Sequence, residues 1–319
     1  MSDSTVVRTR KTPKTSMHKL LGLDKANTQK WIFLFIAIVP TFGGYLLFTL
    51  FPNILSVYYS MLNWDGFTDA EFVGLSNFVT AFQDKYVWRA LTHNLIFMIT
   101  VPFFVIIISL LLAYLITNKT YRENKLLKVL FFFPNVLSTV VVALLWAFIY
   151  DGSYGLLNGM LKFVGIDTGN FYWLGNANTA LAAIIPAWVW GGVGLYVIIF
   201  ANAMLGIPKS LYEAAILEGA GHMTRLFKIT MPLVTPIIRV SALFLVVGTM
   251  KGFEIILIMT NGGPFGSTDV IGLYMFNLAF GIEYRNYGYA SAVGMILFVI
   301  LVSAKLLIDK FVPNEGYEY

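Results

Sequence analysis

Two charged residues lie inside a long apolar stretch of the sequence, where a charge is energetically expensive. Lys251 and Glu254 are three residues apart within residues 233–260, and this spacing puts both side chains on one face of a helix. An unpaired charge at membrane depth costs at least about 2.5–3.5 kcal/mol. The two residues are therefore expected to face each other, a second subunit or a wet cavity. Either they line a path for a polar solute together with Thr249, or they form a structural ion pair at a subunit interface.

A second group of residues combines aromatic rings with glycines. Trp188, Trp190, Gly191, Gly192 and Gly194 lie together in another apolar stretch. No Gly-Lys-Ser/Thr follows them, so they do not form a phosphate-binding loop. Glycines in a membrane helix permit the close approach of a neighbouring helix, and this is the simpler interpretation. In the alternative, Trp190 beside Gly191 presents a stacking face to a ring-shaped solute.

The sequence lacks the residue patterns of a catalytic or metal centre. It contains no cysteine, which excludes disulfides, thiolate metal sites and cysteine nucleophiles. Its three histidines, His18, His93 and His222, are far apart and do not have the spacing of metal ligands. No HExxH, GxSxG or Walker A motif is present. We therefore expect no enzyme activity, no metal and no cofactor on this chain.

The composition is that of a chain surrounded by lipid. Of its 319 residues, 58% are hydrophobic and 12% are charged, with a mean hydropathy of +0.73, whereas a soluble domain has about 25% charged residues. A membrane-spanning helix needs about 20 apolar residues, and six blocks of the sequence qualify. These blocks are residues 31–51, 91–117, 126–150, 181–205, 233–260 and 289–311. The sequence thus predicts an all-α integral membrane protein with about six transmembrane helices, because backbone groups inside lipid must be satisfied within helices.

Basic residues predict the orientation of these helices, since cytoplasmic connections carry an excess of Lys and Arg. The net charge of +5 could suggest a nucleic-acid partner, but seven of the 22 basic residues precede Trp31, as in a cytoplasmic tail. Basic-rich and basic-poor connections then alternate along the chain. We expect a multi-pass protein of the inner (cytoplasmic) membrane with both termini cytoplasmic and no nucleic-acid partner. The predicted organisation is a tail at 1–30, a transmembrane domain at 31–311 and a second tail at 312–319.

One cytoplasmic connection, residues 208–236, is too long and too patterned to be a simple turn. Ser210 and Glu213 have the spacing of a capping box, which predicts a helix with Ser210 as its N-cap. Gly219 and Gly221 are suited to end this helix, since glycine takes the left-handed conformation at no steric cost. A second short helix is expected at about 224–230, leading to Pro232. The prediction is a helix–corner–helix element that protrudes from the membrane and seats in a groove of a partner.

This segment resembles the EAA loop of binding-protein-dependent ABC importer permeases. The residues that match the spacing of that loop are Glu213, Ala214, Ala215, Gly219, Ala220, Phe227, Ile229, Pro232 and Pro236. Two positions depart from the usual form, since Met231 replaces a leucine and Glu218 replaces an aspartate. The resemblance implies that residues 210–221 are a coupling helix that contacts an ATPase. Its coupling residues would be Ser210, Glu213, Ala214, Ala215, Gly219, Ala220 and Gly221, and for Glu213 a role in capping alone is the alternative.

Three further stretches resemble the maltose-type carbohydrate permeases. Residues 72–78 resemble their FxGLxNF stretch, residues 260–264 their TxGGP turn and residues 287–292 the start of their last helix. The resemblance implies a heterodimer with a second, homologous permease, ATPase subunits that bind ATP and magnesium, and an extracellular sugar-binding protein. The path for a sugar or oligosaccharide would then be lined by Trp190, Gly191, Thr249, Lys251 and Glu254.

Other functions remain open at this point. Glycerol 3-phosphate and other polyol phosphates use similar permeases, but a phosphate calls for net positive charge in the path, and Glu254 offsets Lys251. This balance favours neutral sugars. An ion-coupled secondary transporter usually has inverted repeats, and the sequence shows no internal repeat. A membrane receptor or scaffold is a further alternative, because a docking loop alone does not establish transport.

Overall fold

The computed structural model describes residues 25–118, 124–281 and 285–311. Most of the predicted tail at 1–30, the predicted tail at 312–319 and residues 119–123 of a basic connection lie outside this part of the chain. By its internal contacts the chain divides into two compact units, residues 1–56 and 57–319.

The described part of the first unit is helical throughout. Helix α1 covers Lys25–Tyr45, a π-helical turn covers Leu46–Leu50, and α2 covers Phe51–Tyr59. Polar side chains bond to carbonyls of the preceding turn, as Thr41 Oγ1 does to Ala37 O at 2.9 Å. With the backbone and such side chains satisfied internally, exposed rings such as that of Phe48 suit lipid surroundings.

The second unit contains a small hairpin and helices of very different lengths. The hairpin pairs β1 (Leu62–Asn63) with β2 (Glu71–Phe72) in an antiparallel register. The helices are α3 (Ser76–Gln83), α4 (Lys85–Asn118), α5 (Asn124–Val136), α6 (Thr139–Ile149), α7 (Leu156–Phe163), α8 (Ala180–Leu205), α9 (Lys209–Leu217), α10 (His222–Arg225), α11 (Met231–Lys251), α12 (Glu254–Met259), α13 (Ile271–Phe280) and α14 (Tyr287–Phe311). The predicted all-α membrane fold is confirmed, and the sequence did not predict the hairpin.

Among the described residues, five helical stretches are long and apolar enough to cross a membrane. They are Asn27–Tyr59, Lys85–Thr117, Ala180–Leu205, His222–Lys251 and Tyr287–Leu307. Helices α5 and α6 make a sixth span if they are taken together. The prediction of about six transmembrane helices is therefore confirmed. Helix α13 is apolar but only 10 residues long, and the sequence did not predict it.

The predicted block 126–150 is not one continuous helix. Helices α5 and α6 meet at 97°, and Ser138 caps α6 by accepting a hydrogen bond from Val141 N at 3.4 Å. Pro134 weakens the last turn of α5, because proline lacks an N–H and clashes with the carbonyl four residues earlier. The two helices are separated by a full break at Leu137 and Ser138.

The predicted block 233–260 is also broken, and this corrects the placement of its two charges. Helix α11 ends at Lys251, Gly252 has extended backbone angles, and α12 begins at Glu254. Lys251 and Glu254 therefore lie on different helices, and the prediction that they share one helix face is wrong. The three-residue spacing would put them together only in an unbroken helix.

Helix α8 is at the centre of the packing in the second unit, and α4 and α5 lie against it. Ser109 Oγ of α4 donates to Val193 O of α8 at 3.0 Å. At Gly194 the backbones of α8 and α5 touch, since a Cβ there would overlap Phe131 O and lie 2.8 Å from Phe132 Cα. Close helix approach at a small residue is common in membranes, and the structure shows it at Gly194.

One carboxylate holds three helices together at the Lys85 end of α4. Asp84 Oδ2 accepts hydrogen bonds from the hydroxyls of Tyr274 in α13, at 2.5 Å, and Tyr289 in α14, at 2.8 Å. Burial acts to raise the pKa of Asp84, but these hydrogen bonds outweigh it, so the pKa lies below its usual value. Helices α13 and α14 are thereby fixed to the start of α4.

The Gly194 contact predicts opposite effects for two neighbouring glycine substitutions. Gly194→Ala should destabilise the protein by about 1–3 kcal/mol, because backbone atoms of α5 would have to move. Gly192→Ala is the matched control, since its Cβ would lie 3.5 Å from Val105 Cγ2 in ordinary contact, and alanine is the better helix former. Thermal unfolding of both variants in detergent measures the difference. Equal unfolding temperatures for the two variants would contradict the contact.

Candidate functional site

The segment between α8 and α11 forms a corner with a firmly ended helix. Gly219 follows α9 with a φ of +78°, Gly219 N donates to Ile216 O at 2.9 Å, and Ala220 N donates to Ala215 O at 2.8 Å. These two bonds make a Schellman motif, which satisfies the last carbonyls of the helix. The left-handed end predicted at Gly219 is therefore confirmed.

Other details predicted for this corner are wrong. Helix α9 begins two residues earlier than predicted, at Lys209, with Pro208 as N-cap and no side-chain capping bond. Ser210 and Glu213 therefore do not form a capping box, because Pro208, and not Ser210, is the N-cap of this helix. Gly221 does not end α9 either: with φ −67° and ψ 170° it is the N-cap of α10.

The second short helix predicted at 224–230 is part of a longer one. Helix α10, a π-helical turn at Leu226–Thr230 and α11 follow one another directly, so that His222–Lys251 is one stretch of 30 residues. The π turn precedes Pro232, whose missing N–H leaves the regular bonding pattern incomplete there. The α10 arm of the corner is therefore continuous with the membrane span that ends at Lys251.

Two tyrosines attach the corner to the membrane helices. The hydroxyls of Tyr212 in α9 and Thr230 lie 2.8 Å apart and share a hydrogen bond. Tyr114 in α4 donates its hydroxyl to His222 O at 3.2 Å. The first bond joins the two arms of the corner, and the second holds the α10 arm against the Asn118 end of α4.

The outer side of the corner presents apolar side chains to its surroundings. Glu213 and Ala214 are exposed, whereas Ala215 and Ala220 are half-buried. The large exposed apolar residues here are Leu211, Ile216, Leu217, Met223 and Phe227, and Leu217 is 89% exposed. A contiguous apolar surface with polar edges is typical of a protein–protein contact.

A polar cavity of about 330 Å³ lies where both helix breaks meet α8. Its size is within the range of small-molecule sites. The lining comes from α5, α6, α8, α11 and α12, and it includes Asn135, Thr139, Trp188, Gly191, Gly248 and Glu254. We call this space the break cavity.

Trp188 supplies the aromatic surface of the break cavity. Its indole packs against Phe97, with the ring centroids 5.4 Å apart, and it covers Gly252 at the break after α11. A Cβ on Gly252 would lie 2.8 Å from Trp188 Cζ2, so the indole can take this position only against glycine. The position of the Trp188 ring therefore depends on the glycine at the helix break.

Three of the predicted path residues lie elsewhere. Trp190 borders a separate apolar cavity with Trp146, whose ring it meets edge to face at 6.2 Å. Thr249 is 2% exposed, and its hydroxyl donates to Leu245 O and Val246 O of its own helix. Lys251 is exposed and does not line the break cavity. None of these three side chains joins Glu254.

The structure also adds two residues that the sequence did not assign to the path. Asn135 Nδ2 donates to Gly191 O at 3.2 Å, which places its amide at the junction of α5 and α8. Trp188 replaces Trp190 at the cavity. Two positions along a helix turn a side chain by about 200°, so only the rotation of α8 could decide between the tryptophans.

A compact turn closes the other end of α12. Thr260 Oγ1 and Thr268 Oγ1 share a hydrogen bond of 2.8 Å, and Arg89 Nη1 of α4 donates to Phe265 O at 3.1 Å. Burial raises the pKa of Asp269 in this turn to about 6, although Arg89 acts to lower it. The ring of Phe265, at the tip, is 95% exposed.

The described residues contain no group of three His, Asp or Glu side chains that could hold a metal ion. Comparison with known proteins agrees with a transport role for this arrangement. The profile of the family described as "Binding-protein-dependent transport system inner membrane component" matches residues 78–315.

Individual proteins are similar over most of the chain. A diacetylchitobiose uptake system permease protein of Streptomyces coelicolor is 34% identical over 82% of this chain and 77% of its own length. An sn-glycerol-3-phosphate transport system permease protein of Yersinia pestis is 30% identical over 88% and 94%. In the crystal structure of a bacterial ABC transporter that imports the acidic polysaccharide alginate, one chain superposes with a TM-score of 0.76. That chain is 26% identical, and the match covers 91% of this chain and 99% of that one.

The family profile covers well over half of the chain, and the break cavity and the corner between α8 and α11 lie within the matched residues. This chain therefore belongs to the family of inner membrane components of binding-protein-dependent transport systems, and it is a permease subunit of an ABC transporter.

Proposed function

We propose that this permease forms, with a second homologous permease, the membrane path for a sugar or oligosaccharide that an extracellular binding protein delivers. The break cavity carries this proposal, because it combines an aromatic ring with polar groups at the meeting point of broken membrane helices. Apolar C–H faces of a sugar ring pack on an aromatic face, here that of Trp188. Hydroxyls can donate to Glu254 and Asn135.

Similarity to two kinds of permease bears on the substrate. The diacetylchitobiose and alginate systems handle saccharides, which supports a sugar here. Similarity to the glycerol-3-phosphate permease supports a polyol phosphate as the second candidate. An ion-coupled secondary transporter is set aside by the family to which the chain belongs.

The corner formed by α9 and α10 is the proposed contact with a separate ATPase, which would bind ATP and magnesium and supply the energy. Its exposed apolar residues suit a groove in a partner, and Glu213 and Ala214 are accessible on the same element. Helix α9 can move as a unit because its C-terminal carbonyls are satisfied at Gly219 and Ala220. The residues proposed for coupling are Ser210, Glu213, Ala214, Ala215, Gly219, Ala220 and Gly221.

The stretch His222–Lys251 links this corner to the break cavity. Its first residue, His222, begins the α10 arm of the corner, and its last residue, Lys251, precedes Gly252, which lies under Trp188. A helix of 30 residues is about 45 Å long. We infer that a displacement of the corner by the ATPase is transmitted along this helix to the cavity.

Crosslinking tests the docking surface, and the natural absence of cysteine gives it a clean background. A benzophenone attached to an Ala214→Cys variant of the co-expressed complex should crosslink to the ATPase subunit, identified by mass spectrometry. Phe265→Cys is the matched control, since Phe265 is also exposed but lies in a different turn. Equal crosslinking from both positions, or none from Ala214→Cys, would remove the docking assignment.

Labelling in whole cells tests the proposed orientation. Lys209, Arg225 and Lys228 surround the corner, which supports a cytoplasmic position for it and for both termini. A membrane-impermeant maleimide should label Phe265→Cys in intact cells, and Ala214→Cys only after permeabilisation. The reverse pattern would invert the topology.

A pair of tryptophan variants tests the break cavity as the substrate path. Trp188→Leu should raise the KM for uptake about three- to tenfold in reconstituted complexes, because an aromatic contact contributes roughly 0.5–1.5 kcal/mol beyond its area. Trp190→Leu, which alters the apolar cavity instead, should leave KM within about twofold. A panel of labelled neutral di- and trisaccharides provides the substrate. Equal KM values in both variants and wild type would place the path elsewhere.

A further inference from the structure

The break cavity carries an unbalanced charge. Of the described residues that line it, Glu254 is the only one with a formal charge. Helix α12 begins with Glu254, and the carboxylate is exposed. The cavity therefore presents a negative group to anything that enters it.

Lys251 does not neutralise this carboxylate. The break at Gly252 and Phe253 separates the two side chains, and no ion pair joins them in the described part of the chain. Each charge suits its own helix end instead. Lys251 lies in the last turn of α11 and Glu254 in the first turn of α12, where the helix dipoles favour a cation and an anion respectively.

The neighbouring amide adds to the acceptor character of the cavity. Asn135 donates from Nδ2 to Gly191 O, and its Oδ1 is an acceptor. A carboxylate is acceptor-only, with two oxygens, and adjacent hydroxyls of a sugar are matching donors. A phosphate or a uronate has acceptor oxygens and a negative charge, so Glu254 repels it.

We propose that Glu254 sets the charge class of the substrate: the break cavity accepts hydroxyl-rich neutral sugars and rejects sugar acids and phosphate esters. The inference rests on the proposed transport path and refines it. By this proposal the substrate of this permease differs in charge from alginate and glycerol 3-phosphate, the substrates of similar systems. It also changes the basis for preferring a neutral sugar, since the charge of Glu254 is not offset within the cavity.

Charged thiol reagents measure this field directly, because the chain has no cysteine of its own. Thr139 lines the cavity, is exposed and is close to cysteine in size. In the assembled complex in proteoliposomes, the thiol of Thr139→Cys is modified with a trimethylammonium or a sulfonate methanethiosulfonate. The cationic reagent should be favoured, and Glu254→Gln should lower the ratio of the two rates about tenfold.

Lys251→Met is the matched control, since it removes a charge three positions away that does not line the cavity. We expect its rate ratio to stay within about twofold of the parent, and we expect Glu254→Lys to favour the sulfonate. An unchanged ratio in Glu254→Gln would overturn the proposal. So would a thiol that neither reagent modifies, because the cavity would then be closed to water-borne ions.

Sugar uptake by the same modified complexes separates the two proposals. If uptake continues at the full rate after complete modification of Thr139→Cys, the cavity is not the path and the proposed function fails there. If uptake stops but the ratio of the cationic to the anionic modification rate is the same with Glu254 and with Glu254→Gln, the path stands and the charge assignment alone fails.

Discussion

The hydrocarbon interior of a membrane offers no hydrogen-bond partner to the backbone, and the fold of this permease depends on that constraint. In the described residues the candidate spans are helical, and the two broken blocks are interrupted beside the break cavity. At both breaks the backbone bonds locally, with Leu137 N on Pro134 O at 3.3 Å and Gly252 N on Gly248 O at 2.8 Å. Residues of both breaks and of α8 line the break cavity.

The corner between α8 and α11 is likewise a firm element and not a loose loop. Outside the membrane the last carbonyls of α9 could bond to water, yet the Schellman bonds at Gly219 and Ala220 satisfy them internally. The bond between Tyr212 and Thr230 then closes the angle between the two arms. A displacement of this corner also moves the start of the 30-residue helix, so the corner and the break cavity are connected by covalent geometry.

Sequence patterns predicted the parts of the molecule that depend on composition and local backbone preference. Block length and hydropathy suffice for the membrane helices, and the left-handed end of α9 follows from Gly219, because few other residues adopt a φ of +78°. The sequence patterns did not predict the helix breaks. The residues of 233–260 are apolar enough for one continuous helix, and the contact of Gly252 with the indole of Trp188 is a tertiary contact that local patterns do not show.

The same limit explains the errors at the candidate site. Trp188 and Trp190 have identical side chains in one apolar helix, and only tertiary packing decides which faces the cavity. Thr249 is polar and close to the break, but a buried hydroxyl bonded to its own helix is a common way to place threonine in a membrane span. The predicted capping box is absent for a local reason, since the helix begins two residues earlier than predicted, with Pro208 as its N-cap.

A shared fold cannot by itself decide the charge of the solute that crosses. The alginate transporter chain superposes on this one over nearly its whole length although its system imports an acidic polysaccharide. A unit charge about 6–8 Å from an ionic ligand contributes roughly 0.5–3 kcal/mol at effective dielectric constants of 20–80. This is a factor of about 2 to 100 in binding, with opposite signs for cations and anions. One carboxylate at the start of α12 can therefore change the class of substrate while every helix stays in place, and a family of this kind can diversify its cargo through a few cavity residues.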